Sequence, residues 1–192
     1  MKQSSWLILG AVAGTLALVV GSKKRRIAAA QEAVELYEKT TGDMKSYFTI
    51  AELCASDTAK KYGIDNTPTD EARYNLQQLI NNVLDPARRR LGKAIYVSSG
   101  YRSPELNRKV GGVSNSQHQY GLAADITARD MNKLFAILVS LGNFDQLIWE
   151  HPKSSKWIHV SYNPAGANRA QILDYNGKQY TNIANNWQAY LA

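Results

Sequence analysis

The sequence predicts an α+β domain: a small, mostly antiparallel sheet with flanking helices, preceded by an N-terminal transmembrane helix. Three observations carry this. Short apolar–polar alternations in "AIYVSS", "LAADIT", "DQLIWE" and "KWIHVSY" have the period of strands with one buried face. Apolar residues at helical spacing recur between and before them. Finally, no charged residue occurs from Gln3 to Ser22.

Trp6 to Val20, "WLILGAVAGTLALVV", is close to the roughly 20 apolar residues that a bilayer span needs. Trp6 suits an interfacial anchor, and Lys23-Lys24-Arg25-Arg26 is a typical flank. Four basic residues directly after the apolar core argue for an uncleaved anchor at 1–22 over a cleavable signal peptide, the main alternative. The same block supplies more than half of the net charge of +7, so the remainder is only mildly basic. With no recognition motif and no aromatic–basic stripe, nucleic acid is not an expected partner. One cysteine, Cys54, excludes an internal disulfide and a thiolate zinc finger, and its apolar helical setting suggests a buried, inert thiol.

After the anchor, Ile27, Ala30, Val34 and Tyr37 mark a helical stalk, so 23–45 is expected to be basic flank and stalk. Thr49 with Glu52 is a capping-box pattern, opening a helix that should run to Gly63. "IDNTPTD" is a loop, and Thr69 can cap a helix with the stripe Leu76, Leu79, Ile80, Val83 and Ala87. Pro86 should kink or split that helix. "AIYVSS" follows as a strand, then "PELNRKV" as a brief helix capped by Ser103. "LAADIT" is a strand, and "MNKLFAILVSLG" a helix burying Leu134, Ile137, Leu138 and Leu141. "DQLIWE" and "KWIHVSY" are strands joined by a polar turn. "ILDYNGKQYTNI" reads as a hairpin about a type I′ Asn-Gly turn, and "ANNWQAYLA" as a short docking helix. The domain proper is expected at 46–175, with 176–192 as a hairpin and helix extension.

The chemistry concentrates around "SQHQYGLAAD", where one of only three histidines, His118, stands seven residues before Asp125. Alternation puts Asp125 on one face of its strand and the apolar Leu122, Ala124 and Ile126 on the other. His159 likewise faces away from Ile158 and Val160. Two imidazoles and a carboxylate suit Zn²⁺ with a fourth position for water, although spacing alone, with no contiguous HExxH pattern, favours ordinary hydrogen-bonded histidines and a turn carboxylate.

The segment "SQHQYGLAAD" resembles the S-x-H-x-x-G-x-A-x-D pattern of zinc D-alanyl-D-alanine carboxypeptidases and L-alanyl-D-glutamate endopeptidases, which share a fold with the hedgehog signalling domain. "YFTIAELCASDTA", "VSSGYRSPELNRKVGG" and "FDQLIWE…WIHVSY" resemble further family segments in the same order, covering about Tyr47 to Tyr175. The resemblance implies His118, Asp125 and His159 as zinc ligands, and Arg102 as the group that binds a substrate oxygen and steadies the developing oxyanion. It places Ser116 in the substrate site. Many relatives hold a glutamate three residues before the last histidine, where this chain has Lys156. Hedgehog-like members carry one at the end of the preceding strand, which implies Glu150 as general base, with Asp145 the alternative. Trp157, on the face of His159, is expected to bind substrate, and His151 either to support Glu150 or to lie exposed in the turn.

The implied activity is zinc-dependent hydrolysis of peptidoglycan stem peptides by a membrane-anchored enzyme. A non-catalytic wall- or protein-binding module on the same fold is the alternative. The basic flank would hold the domain on the cytoplasmic side, whereas this substrate lies on the cell-wall side. A phage lysis enzyme with a releasable anchor, or a virion entry enzyme, would resolve that conflict.

Overall fold

A computed structural model describes residues 46–166 and 168–191. The anchor expected at 1–22 and the stalk expected at 23–45 lie outside the described residues; among the described residues no helix is long and apolar enough to cross a membrane.

Thr49 caps the first helix as its pattern predicts, its side chain accepting from the Glu52 N–H. The helix does not run to Gly63. It stops after one turn as α1 (Ile50–Cys54), and Ser56 caps a second helix, α2 (Asp57–Tyr62), which Gly63 closes at φ 64°. The break has a tertiary cause. The Leu53 carbonyl accepts from the Tyr101 N–H at 2.7 Å and the Cys54 carbonyl from Asn66 Nδ2 at 2.8 Å, so these acceptors serve remote donors. Cys54 is half-buried, and burial pushes its thiol up, which keeps it protonated and inert.

Thr69 caps α3 (Asp70–Leu79), and Leu76, Leu79, Ile80 and Val83 are buried as the stripe predicts. Pro86 does not end the helical run. Residues 80–84 widen into a π turn, with the Asp85 N–H reaching back to the Ile80 carbonyl, and α4 (Asp85–Leu91) continues directly. Pro86 cannot donate to the Asn82 carbonyl, and Asn143 Nδ2 does so instead at 3.2 Å.

The sheet has the order β1-β2-β4-β3-β5-β6: β1 Ile95–Ser99, β2 Ala123–Ala128, β3 Gln146–Glu150, β4 Trp157–Ser161, β5 Gln171–Tyr175 and β6 Tyr180–Asn182. All pairs are antiparallel except β3 with β5, so the sheet is mixed. The helix α5 (Pro104–Lys109) follows β1, and α6 (Met131–Leu141) follows β2. On one face of the sheet Ala124, Ile126, Leu147, Trp149, Ile158 and Val160 pack into the core with α3, the π turn and α6. In α6 the deepest side chains are Leu134, Phe135 and Leu138; Ile137 and Leu141 are only partly buried. Phe135 takes the inner place because its ring meets Trp149 edge-on, with centroids 5.5 Å apart.

The hairpin near the C-terminus forms, but Tyr175 pairs with Tyr180, which leaves a four-residue loop. Only Gly177 there has positive φ, so the turn is not type I′. Asn176 Oδ1 accepts from the N–H groups of Lys178 and Gln179 and so shapes the longer loop. Residues beyond 175 thus supply an edge strand, the fully buried Ile183 and a 3₁₀ turn at Trp187–Tyr190, in which Trp187 packs against the core.

Candidate metal centre

The second face of the sheet is the floor of a cleft of about 1000 Å³. Direct pairing aligns Ser99, Asp125, His159 and Ile148 in one row across β1, β2, β4 and β3. The neighbouring row carries Trp157, Glu150, Tyr175 and Tyr180 across β4, β3, β5 and β6. A β-bulge between Val97 and Ser99 locally resets β1 opposite Asp125.

His118 arrives from outside the sheet, on a 3₁₀ turn at Gln117–Tyr120 that Gly121 closes. Gly121 has φ 70°, and a Cβ there would stand 2.3 Å from the Ala72 carbonyl oxygen. This explains Gly121: the turn lies against α3 with no room for a side chain at that position. Gly121→Ala is expected to destabilise the fold by roughly 1–3 kcal/mol through overpacking and strain. Urea unfolding checks this, and an unchanged midpoint would contradict the close approach.

Three ligand-type atoms converge in the cleft. Asp125 Oδ1 is 3.2 Å from His118 Nε2 and 3.0 Å from His159 Nδ1, and the two ring nitrogens are 3.2 Å apart. All three residues are buried. The opposite ring atoms decide what this triangle can hold. His118 Nδ1 lies 2.7 Å from the Gly100 carbonyl, which only accepts, so in the neutral ring Nδ1 carries the proton and Nε2 a lone pair. His159 Nε2 faces the Gln117 side-chain oxygen at 3.4 Å, which likewise leaves Nδ1 the lone pair. Two lone pairs and a carboxylate oxygen then meet with no donor among them, an arrangement satisfied by a cation. Zn²⁺ with bonds of about 2.0–2.1 Å sets tetrahedral ligand atoms roughly 3.3 Å apart, close to the edges observed. The group could therefore bind a metal ion.

Arg102 reinforces the charge on Asp125. Its Nη2 donates to Asp125 Oδ2 at 2.7 Å and its Nε to Ser99 Oγ at 2.8 Å. Burial favours the neutral acid, but whenever the two rings are protonated the charge on His118 and hydrogen bonds from both imidazoles outweigh it and hold Asp125 well below the usual carboxylate range. Glu150 behaves oppositely. Burial and the charge of Asp125 push it up to about 7, against the pull of His159, Arg102 and Trp157.

The cleft brings Arg102, Ser116, Glu150 and Trp157 together with the three ligand candidates. Asp145, the alternative base, is engaged elsewhere. Arg169 donates to both its oxygens, from Nε at 2.9 Å and Nη2 at 2.6 Å, and Gln117 Nε2 donates to Oδ2 at 2.8 Å. His151 pairs with Asp174 at 2.8 Å and so supports that carboxylate instead of Glu150. Sequence reasoning missed Gln117, Arg169, Tyr175 and Tyr180, which also line the cleft. Gln117 was signalled only by standing next to His118. The two tyrosines, stacked with ring centroids 4.4 Å apart, gave no local sign, because they reach Glu150 through the parallel β3–β5 pairing.

The family model described as Peptidase M15 matches residues 46–161, more than half of the chain. No curated protein matches it.

Proposed function

The chain belongs to the Peptidase M15 family, and on that premise we propose that it hydrolyses peptide bonds in peptidoglycan stem peptides, as a D-Ala-D-Ala carboxypeptidase or an endopeptidase. The observation that carries the reading is the triangle of His118, Asp125 and His159 at the floor of an open cleft, with a raised carboxyl, Glu150, in the adjacent row. Those three residues would hold Zn²⁺, which when bound would supply Lewis acidity and make water at the site acidic near neutral pH. The Glu150 carboxylate takes a proton from the attacking water and returns it to the leaving amine, a role that suits a group titrating near neutrality. Arg102, fixed by Ser99 and Asp125, holds its charge where negative charge develops on the substrate oxygen. Trp157 and the stacked Tyr175 and Tyr180 flank Glu150 and limit its contact with water, while Ser116 lines the approach to His118.

Digestion of purified peptidoglycan, followed by mass spectrometry of the new peptide termini, tests this. Zinc-dependent appearance of stem-peptide fragments or free D-alanine is expected. Binding of wall material with no new termini would replace the enzyme with a binding module. We also propose that residues 1–22 anchor the protein in a membrane with the domain on the cell-wall side, in a bacterial envelope or in a phage lysis or entry role. The uncharged stretch Gln3–Ser22 and the basic block after it support the anchor. Protection of the domain from added protease in intact spheroplasts would contradict the wall-side placement.

A further inference from the structure

The two imidazoles of the candidate metal centre have their tautomers set by different means. His118 Nδ1 faces the Gly100 backbone carbonyl, an acceptor that cannot become a donor. His159 Nε2 faces a side-chain amide, Gln117. An amide can rotate by half a turn and present its NH₂ group instead. A rotated Gln117 would donate to Nε2, move the ring proton to Nδ1, and remove the lone pair that His159 contributes to the triangle.

The surroundings forbid that rotation. Gln117 Nε2 donates at 2.8 Å to Asp145 Oδ2, and a carboxylate only accepts. Asp145 is itself buried, at 5 % exposure, and is fixed on both sides of its backbone: its N–H donates to the Ser161 carbonyl at 2.7 Å and its carbonyl accepts from Gln171 at 3.0 Å. Arg169 grips both carboxylate oxygens and also donates its backbone N–H to Oδ1 at 3.1 Å. Its guanidinium keeps the carboxylate charged. The direction of each bond is therefore dictated in series, from Arg169 through Asp145 and Gln117 to His159. Ser161 and Gln171 belong to β4 and β5, so the device is built into the same sheet that carries His159.

We propose that Gln117, oriented by Asp145 and Arg169, is a positioning residue that fixes His159 in the Nε2–H tautomer and thereby sets the affinity of the centre for its cation. This rests on the metal-site reading of His118, Asp125 and His159. Arg169 lies beyond the span matched by the family model, and its side chain is 56 % exposed in the cleft wall, so the last link of the chain is open to solvent.

The test uses the full-length protein and zinc alone. Zinc affinity is measured by competition with a chromophoric chelator for wild type, Gln117→Leu, Asp145→Asn and the double variant. Gln117→Leu is expected to weaken zinc binding about 10- to 100-fold, the usual consequence of losing a partner behind a ligand. Asp145→Asn should weaken it in the wild-type background and have little further effect once Gln117 is leucine, because its influence passes through that amide. Long-range ¹H–¹⁵N spectra of the metal-free protein at mildly alkaline pH should show the Nε2–H form of His159 in wild type and a mixture of tautomers in Gln117→Leu. A merely structural role would lower the unfolding midpoint without changing the tautomer. Wild-type zinc affinity in Gln117→Leu, or an Asp145→Asn effect of equal size in both backgrounds, would overturn the proposal while leaving the metal site intact. Failure of the wild type itself to bind zinc would overturn both.

Discussion

Glu150→Gln is expected to lower kcat by about 10²–10⁴-fold, the usual worth of a positioned general base, while zinc binding stays at the wild-type level. The substitution keeps the shape of the side chain and removes only its ability to take a proton. The same change should make the metal-free protein more stable above neutral pH. The Glu150 pKa is raised by burial and by the Asp125 charge from an ordinary 4.5 to about 7 in the folded chain. The folded state therefore binds a proton there more tightly than the unfolded chain. Below about 4.5 the group is neutral in both states and costs nothing. Stability is then lost progressively as pH rises from 4.5 to 7, and the full cost of a buried anion persists above that. Glutamine never ionises, so the gap in melting temperature between variant and wild type should open across this window. For the zinc-loaded enzyme, a nearby cation favours the carboxylate, and the acid limb of kcat/KM should fall at or below about 7. Full turnover in Glu150→Gln would remove Glu150 from the reaction. A melting temperature that never exceeds wild type would remove the stored electrostatic cost.

The cost is a reason to treat the cleft as a working site. Folding alone gains nothing from a carboxyl placed between Trp157 and Tyr175 within the field of Asp125. Perturbed carboxyls of this kind gather where proton transfer is needed.

What the sequence made legible follows from locality. Alternation along "LAADIT" and "KWIHVSY" put Asp125 and His159 on faces opposite to the core, and in the sheet they are direct cross-strand partners. Caps at Thr49, Thr69 and Ser103 depend on neighbours three residues away, and all three form. The misread features depend on remote atoms. The break between α1 and α2 follows from Tyr101 and Asn66 taking carbonyls of Leu53 and Cys54. Continuity through Pro86 depends on a π turn and on Asn143. The partnership of Gln117 with Asp145 and Arg169 links three separate segments, and no periodicity announces it. That Arg169 lies on Asp145 while Glu150 opens on the cleft depends on equally remote segments, and no local pattern signals it.

Asp125→Asn should abolish activity and weaken zinc binding by at least about 100-fold, and it should also destabilise the metal-free protein. Two separate interactions fail at once. Towards the ligand site, Oδ1 is the one anionic atom in the triangle with His118 and His159; an amide oxygen there is neutral and a poorer ligand for a divalent cation. Towards Arg102, Oδ2 accepts from Nη2 at 2.7 Å, and the two side chains are only 16 % and 11 % exposed. Removing one partner of a buried ion pair strands the other charge, at a cost of about 3–5 kcal/mol. The effects can be separated by the double variant Arg102→Met, Asp125→Asn, which eliminates the stranded guanidinium. It should recover much of the lost stability, read by chemical denaturation without metal, and none of the zinc affinity. Should Asp125→Asn retain zinc at wild-type affinity while losing stability, Asp125 would be a counter-ion for Arg102 alone, and the two histidines would have to bind the cation without it.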